Sequence, residues 1–154
     1  MGADDSPARV IRPKARERML AMSDPKIQTV QKIYEAFGRG DVATILDQLT
    51  DDVDWASEAS STAAPWYGVH KGKGEVPDFF SALGAAVDVL EFTPLSIAAN
   101  DTDVMVTIRF GMKAKATGKS GEMELHHWWQ FRDGKVCRYR GSEDTALTAD
   151  LLAG

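Results

Sequence analysis

The stretch Glu122 to Phe131, EMELHHWWQF, followed by Arg132-Asp133-Gly134-Lys135 and then by Val136 to Asp144, VCRYRGSED, decides the fold. Asp-Gly between two alternating runs is a hairpin signal, because both central residues of the tight turn take positive φ, which glycine and the short Asp tolerate. Alternation along the first run puts Leu125, His127 and Trp129 on one face and His126 and Trp128 on the other. A hairpin carrying histidine, tryptophan, arginine and two carboxylates, Glu143 and Asp144, reads as the wall of a polar-lined pocket.

Working outward, Val104, Val106, Ile108, Phe110 and Met112 alternate with Met105, Thr107, Arg109, Gly111 and Lys113, so this strand has one apolar and one mixed face. With Glu91 to Ala99 before it, the spacing predicts a four-strand antiparallel meander over 91–99, 104–116, 122–131 and 136–144. Upstream, Ile27, Val30, Ile33, Tyr34 and Phe37 recur at three and four, the stripe of an amphipathic helix over 25–39. Asp41 then caps a second helix through Val42, Ile45, Leu46 and Leu49. A short strand follows at Val53–Trp55, a loop over 56–74, and a third helix over 75–83 with Val76, Phe79, Phe80 and Leu83 on one side. The expectation is an α+β cone, three N-terminal helices packed on a curved antiparallel sheet that encloses a pocket.

Composition narrows the function. With 154 residues, 44% of them hydrophobic, the chain builds one domain rather than two. Its net charge of −5 argues against a nucleic-acid partner, which needs a basic face. The single Cys137 has no internal disulfide partner, and no apolar run reaches the length of a membrane span or signal core, so a soluble cytoplasmic protein without a membrane partner is expected. Residues 1–22 hold five Lys/Arg against three Asp/Glu and read as a basic N-terminal extension to a domain over 23–154. His70, His126 and His127 lack metal-ligand spacing, so no metal is expected.

Tyr34-Glu35-Ala36-Phe37-Gly38-Arg39-Gly40-Asp41, Asp52-Val53-Asp54-Trp55, Gly68-Val69-His70-Lys71-Gly72, Phe79-Phe80 and Phe131-Arg132-Asp133-Gly134-Lys135-Val136, set in this order of elements, resemble the nuclear-transport-factor-2-like superfamily. More narrowly, residues 25–152 are similar to its SnoaL-like, ketosteroid-isomerase-related branch. The resemblance implies a homodimer formed through the outer sheet face and a cone-shaped cavity for a small-molecule ligand. It also implies cofactor-free proton-transfer chemistry of the isomerase, cyclase or dehydratase kind, or a ligand-binding or dimeric interaction module without catalysis.

Residue by residue, the steroid isomerases' helical tyrosine, general-base carboxylate and protonated aspartate fall here on Ile33, Ser57 and His127, all different. The polyketide cyclases' strand histidine matches His127, while their carboxylate position falls on Gly141, with Glu143 two residues further along the same face. The candidate catalytic set is therefore His127 with Glu143 or Asp144, since an imidazole titrates near neutrality and serves as acid, base or donor. Tyr34, Trp55, Tyr67, His70 and Trp129 are the candidate substrate-binding residues, with Trp66 beside them at the pocket mouth; their flat rings suit an aromatic or alicyclic ligand.

Overall fold

The computed structural model describes residues 24–154; the basic segment 1–22 lies outside them. Helix α1 (Pro25–Gly38) starts at Asp24, whose carboxylate accepts from Lys26 N at 2.8 Å, with Pro25 in the first turn where its missing N–H is harmless. Ile27, Val30 and Ile33 are buried along one side. Asp41 caps α2 (Val42–Asp47) by accepting from Thr44 N at 3.1 Å and the Thr44 hydroxyl at 2.6 Å.

Strand β1 (Leu49–Ser57) is longer than the short strand expected at 53–55, and α2 correspondingly ends before Leu49. Leu49, at helical spacing from Ile45, instead pairs with Val136, and both are fully buried; tertiary pairing overrides the local period. The segment expected as a loop over 56–74 contains β2 (Gly68–Lys71), which pairs antiparallel with β1 through Trp55 opposite His70. Helix α3 (Val76–Ala86) runs three residues past the expected end, and β3 (Val87–Ala99) begins directly after it.

The meander continues through β4 (Asp103–Ala114), β5 (Ser120–Arg132) and β6 (Lys135–Ser142). Asp133 and Gly134 join β5 to β6 with φ of 51° and 79°, both in the left-handed region that a two-residue hairpin turn demands. A final helix, α4 (Thr145–Leu152), was not expected from the sequence. The six strands form one open sheet in the order β2-β1-β6-β5-β4-β3, in which only β1 and β6 run parallel. Register shifts in β3 between Val89 and Glu91 and between Pro94 and Ser96 bend that edge of the sheet.

The consequence for the site is a set of rows across the sheet. Trp55, Tyr139 and Trp129 lie side by side on β1, β6 and β5, and Ser57, Gly141 and His127 form the next row on the same strands. The α+β class is therefore as expected, with the core between the sheet's inner face and the helices.

Candidate functional site

The inner face encloses a cavity of about 80 Å³ walled by rings: Trp55, Trp129, Tyr139 and His127 from the sheet, Tyr34 and Phe37 from α1, and Phe79 and Phe80 from α3. Trp55 lies 4.1 Å from Tyr139 and Trp129 lies 4.5 Å from it, centroid to centroid, so the row forms one continuous aromatic floor. Into this apolar lining project a few polar groups: the Tyr34 hydroxyl, His127, Ser57, Tyr139, Ser142 and Glu143.

His127 is only 8% exposed, and its proton inventory can be worked out. Trp129 Nε1–H, which can only donate, donates to the Tyr34 hydroxyl oxygen at 3.1 Å. That oxygen lies 2.8 Å from His127 Nδ1. Since the Tyr34 hydrogen has no other acceptor among the described residues, the arrangement that satisfies every group has Tyr34 O–H donating to Nδ1, which places the imidazole proton on Nε2. Nε2–H has no protein partner among the described residues, and His127 lines the cavity. Burial, reinforced by repulsion from His126, pulls the His127 pKa down to about 3, so the ring is neutral at physiological pH. Burial also drives the Tyr34 hydroxyl well above the ordinary phenol range, only partly offset by the Trp129 hydrogen bond. The assembly is a fixed neutral donor.

Glu143 also lines the cavity, but it does not pair with His127. Its Oε1 accepts from Trp66 Nε1–H at 2.9 Å and its Oε2 accepts a short hydrogen bond from the Thr148 hydroxyl. The expected histidine–carboxylate pair is thus corrected: Tyr34 holds the imidazole, and a tryptophan and a threonine hold the carboxylate. Asp144 is corrected too, because it is the N-cap of α4, accepting from Leu147 N at 3.0 Å, and does not line the cavity.

Of the expected substrate-binding residues, Tyr34, Trp55 and Trp129 stand on the cavity wall. Tyr67 and His70 do not. Tyr67 lies behind the wall beside Glu143 and Thr148, where burial, with the Glu143 charge, pushes its pKa up to about 12. His70 packs its ring edge-on against Phe79 from β2, 6.0 Å between centroids. The loop between β1 and β2 instead contributes Trp66, 3% exposed and bound to Glu143. Tyr139 and Thr148 were missed by the sequence reading; Tyr139 shares the parity of Gly141 and Glu143, which was the available signal. Arg140 pairs with Asp54, Nη2 to Oδ2 at 2.8 Å. Among the described residues no cluster of His, Cys, Asp and Glu converges on a metal position, and no helix is long and apolar enough to cross a membrane.

An α+β sheet-and-helix cone with an aromatic cavity between its layers defines a small pocket-bearing fold. Residues 30–139 match the SnoaL-like domain, and the chain belongs to that family. Solved structures agree. An NTF2-like protein of unknown function from Burkholderia pseudomallei aligns with 85% of this chain and 99% of its own at 24% identity and a TM-score of 0.79. TerC, co-crystallised with polyporic acid, aligns with 84% of this chain and 98% of its own at 21% identity and 0.76. A protein provisionally named a polyketide cyclase, from Xanthomonas campestris, aligns with 84% and 97% at 18% identity and 0.69. No curated protein matches the sequence. At these identities the likeness is one of fold.

Proposed function

We propose that this SnoaL-like protein binds a small ring-shaped molecule bearing an oxygen acceptor and catalyses cofactor-free proton transfer on it, of the isomerase or cyclase kind. The observation that carries the reading is the Trp129–Tyr34–His127 chain, which leaves a neutral Nε2–H as donor on an apolar cavity wall. A ligand carbonyl that accepts from Nε2–H gains most when negative charge develops on its oxygen, because a fixed donor in a dry site needs no reorganisation. Glu143 is the carboxylate on the same wall, and it takes the α-proton whose loss makes that charge. With about 80 Å³ of room, less than the roughly 150 Å³ of a cavity that holds benzene, one ring enters only when the wall yields, and Trp66 and Glu143, bonded to each other, are the wall residues carried by loops.

One observation favours a second reading, a ligand-binding module without chemistry: both Glu143 oxygens already accept hydrogen bonds. Hydrogen–deuterium exchange into 2-cyclohexenone in D₂O, followed by NMR, separates the two. Catalysis predicts exchange above the buffer rate that Glu143→Gln abolishes and His127→Phe reduces by about 10²-fold, the usual size of one lost oxyanion donor. Saturable binding without exchange leaves the binding module, and absence of binding removes both. Under either reading a second copy of the chain covers the outer sheet face, where Met105 is exposed beside the bulge residues Leu90 and Leu95 of the β3 edge, and light scattering is expected to give the mass of a dimer.

A further inference from the structure

The row Ser57, Gly141, His127 has a gap in its middle. A Cβ on residue 141 would stand 2.5 Å from the Tyr139 hydroxyl and 3.3 Å from Ser57 Oγ, so the space that a side chain would fill is held by two hydroxyls from the neighbouring positions. Ser57 and Tyr139 both line the cavity beside His127. Burial drives the Tyr139 hydroxyl far above the ordinary phenol range, with Ser57 as its only favourable partner, so it stays protonated at any working pH. Two hydroxyls facing each other hold two hydrogens, and a bond between them would use only one. Among the described residues neither hydroxyl donates to another group, which leaves one O–H for something inside the cavity. The indole Nε1–H of Trp55, next along the floor, is buried without an acceptor as well. The wall is therefore rich in donors and short of acceptors.

Resting on the ligand reading above, we propose that the Ser57–Tyr139 hydroxyl pair, in the notch cleared by Gly141, is a second oxygen-binding point, and that the ligand is a flat ring carrying two oxygens about 5 Å apart. The separation follows from the sheet: His127 on β5 and Gly141 on β6 are directly paired, one strand spacing of about 4.8 Å from each other. One oxygen accepts from His127 Nε2–H and the other from the hydroxyl pair. Tyr139 is then a specificity-determining residue that distinguishes ligands by their second oxygen, separate from the proton-transfer step assigned to Glu143.

Phenol and resorcinol test this, since they share one ring and differ by the second oxygen. Both are titrated by NMR, following the indole N–H signals of Trp55 and Trp129. Resorcinol is expected to bind the natural protein about fivefold to tenfold more tightly than phenol, the size of one added hydrogen bond. The double change Tyr139→Phe with Ser57→Ala, which keeps the ring and the aromatic floor, is expected to bring that ratio within about twofold of one; Tyr139→Phe alone and Ser57→Ala alone give smaller losses of the same kind. Equal binding of the two probes by the natural protein, or a preference that survives when both hydroxyls are removed, overturns the second oxygen point and leaves the small-molecule reading standing. Failure of both probes to bind overturns both.

Discussion

Strand β5 carries the same pair of residues twice, a histidine and a tryptophan on each face, and the two pairs have opposite fates. His127 and Trp129 point inward, buried at 8% and 2% exposure, joined through Tyr34 into a neutral relay. His126 is exposed, and Trp128 is half-buried with its indole N–H donating to Asp103 at 2.8 Å and the Arg138 guanidinium 4.9 Å from its ring centroid. Identical chemistry one residue apart becomes a cavity device on one side and, within the single chain, open surface on the other. The difference is made wholly by the pleat, which is why a single-residue slip of register would exchange the two faces.

The largest break in that comparison comes from truncating each tryptophan in turn. Trp129→Ala removes a fully buried indole from the aromatic floor and deprives Tyr34 of its donor, so a loss of about 3–5 kcal/mol in urea denaturation is expected, against about 1 kcal/mol or less for Trp128→Ala. Equal costs would mean that the second copy on the outer sheet face buries Trp128 as deeply as the core buries Trp129.

The inner histidine of the pair ties stability to pH. A base whose folded pKa, about 3, lies below its unfolded value near 6.5 binds a proton more readily when unfolded, so its cost to folding builds up between those values and stays in full below them: stability falls as pH drops from about 6.5 toward 3, by at most about 1.4 kcal/mol per pH unit. His127→Gln is expected to flatten the part of the stability–pH curve between about pH 4 and 6.5. A slope unchanged by His127→Gln would show that the imidazole is solvated.

Between these in character, though smaller in size, stands the Gly141 row. Gly141→Ala puts a methyl group 2.5 Å from the Tyr139 hydroxyl, and the tyrosine, pinned between Trp55 and Trp129, has little room to withdraw. About 1–3 kcal/mol of destabilisation is expected from the overpacking, with Tyr139→Phe in the same chain restoring part of it. A neutral Gly141→Ala would mean that the floor is looser than the ring distances imply.

The sequence showed the inner and outer faces of β5 because alternation with a marked turn is a local signal, and Asp133-Gly134 anchored its register. It showed the α1 stripe for the same reason. It did not show β2, whose four residues pair only because β1 lies alongside, nor the parallel contact of β1 with β6, which joins segments some 85 positions apart. At the site, parity placed His127, Trp129 and Glu143 correctly toward the cavity side but was silent on partners. Tyr34 reaches His127 across 93 positions, and Thr148 reaches Glu143 only because α4 folds back from its Asp144 cap. Who bonds with whom is a property of packing, and a one-dimensional pattern carries none of it.

The smallest effect tests the outer face alone. Trp128→Phe keeps a ring beneath Arg138 but loses the N–H that binds Asp103, and it weakens the cation–π contact because the phenyl quadrupole attracts a guanidinium less than indole does. Both interactions are half-exposed, so together they are expected to contribute about 0.5–1 kcal/mol, and raising the salt concentration should shrink the difference between Trp128→Phe and the natural protein. Trp129→Phe, the matching change on the inner face, should cost more and show no such salt dependence, because its lost partner is the uncharged Tyr34 hydroxyl in a dry wall. If the salt dependence appeared on both faces, the inner relay would have to be open to water, and the neutral donor at His127 Nε2 would lose the low-dielectric setting on which its strength depends.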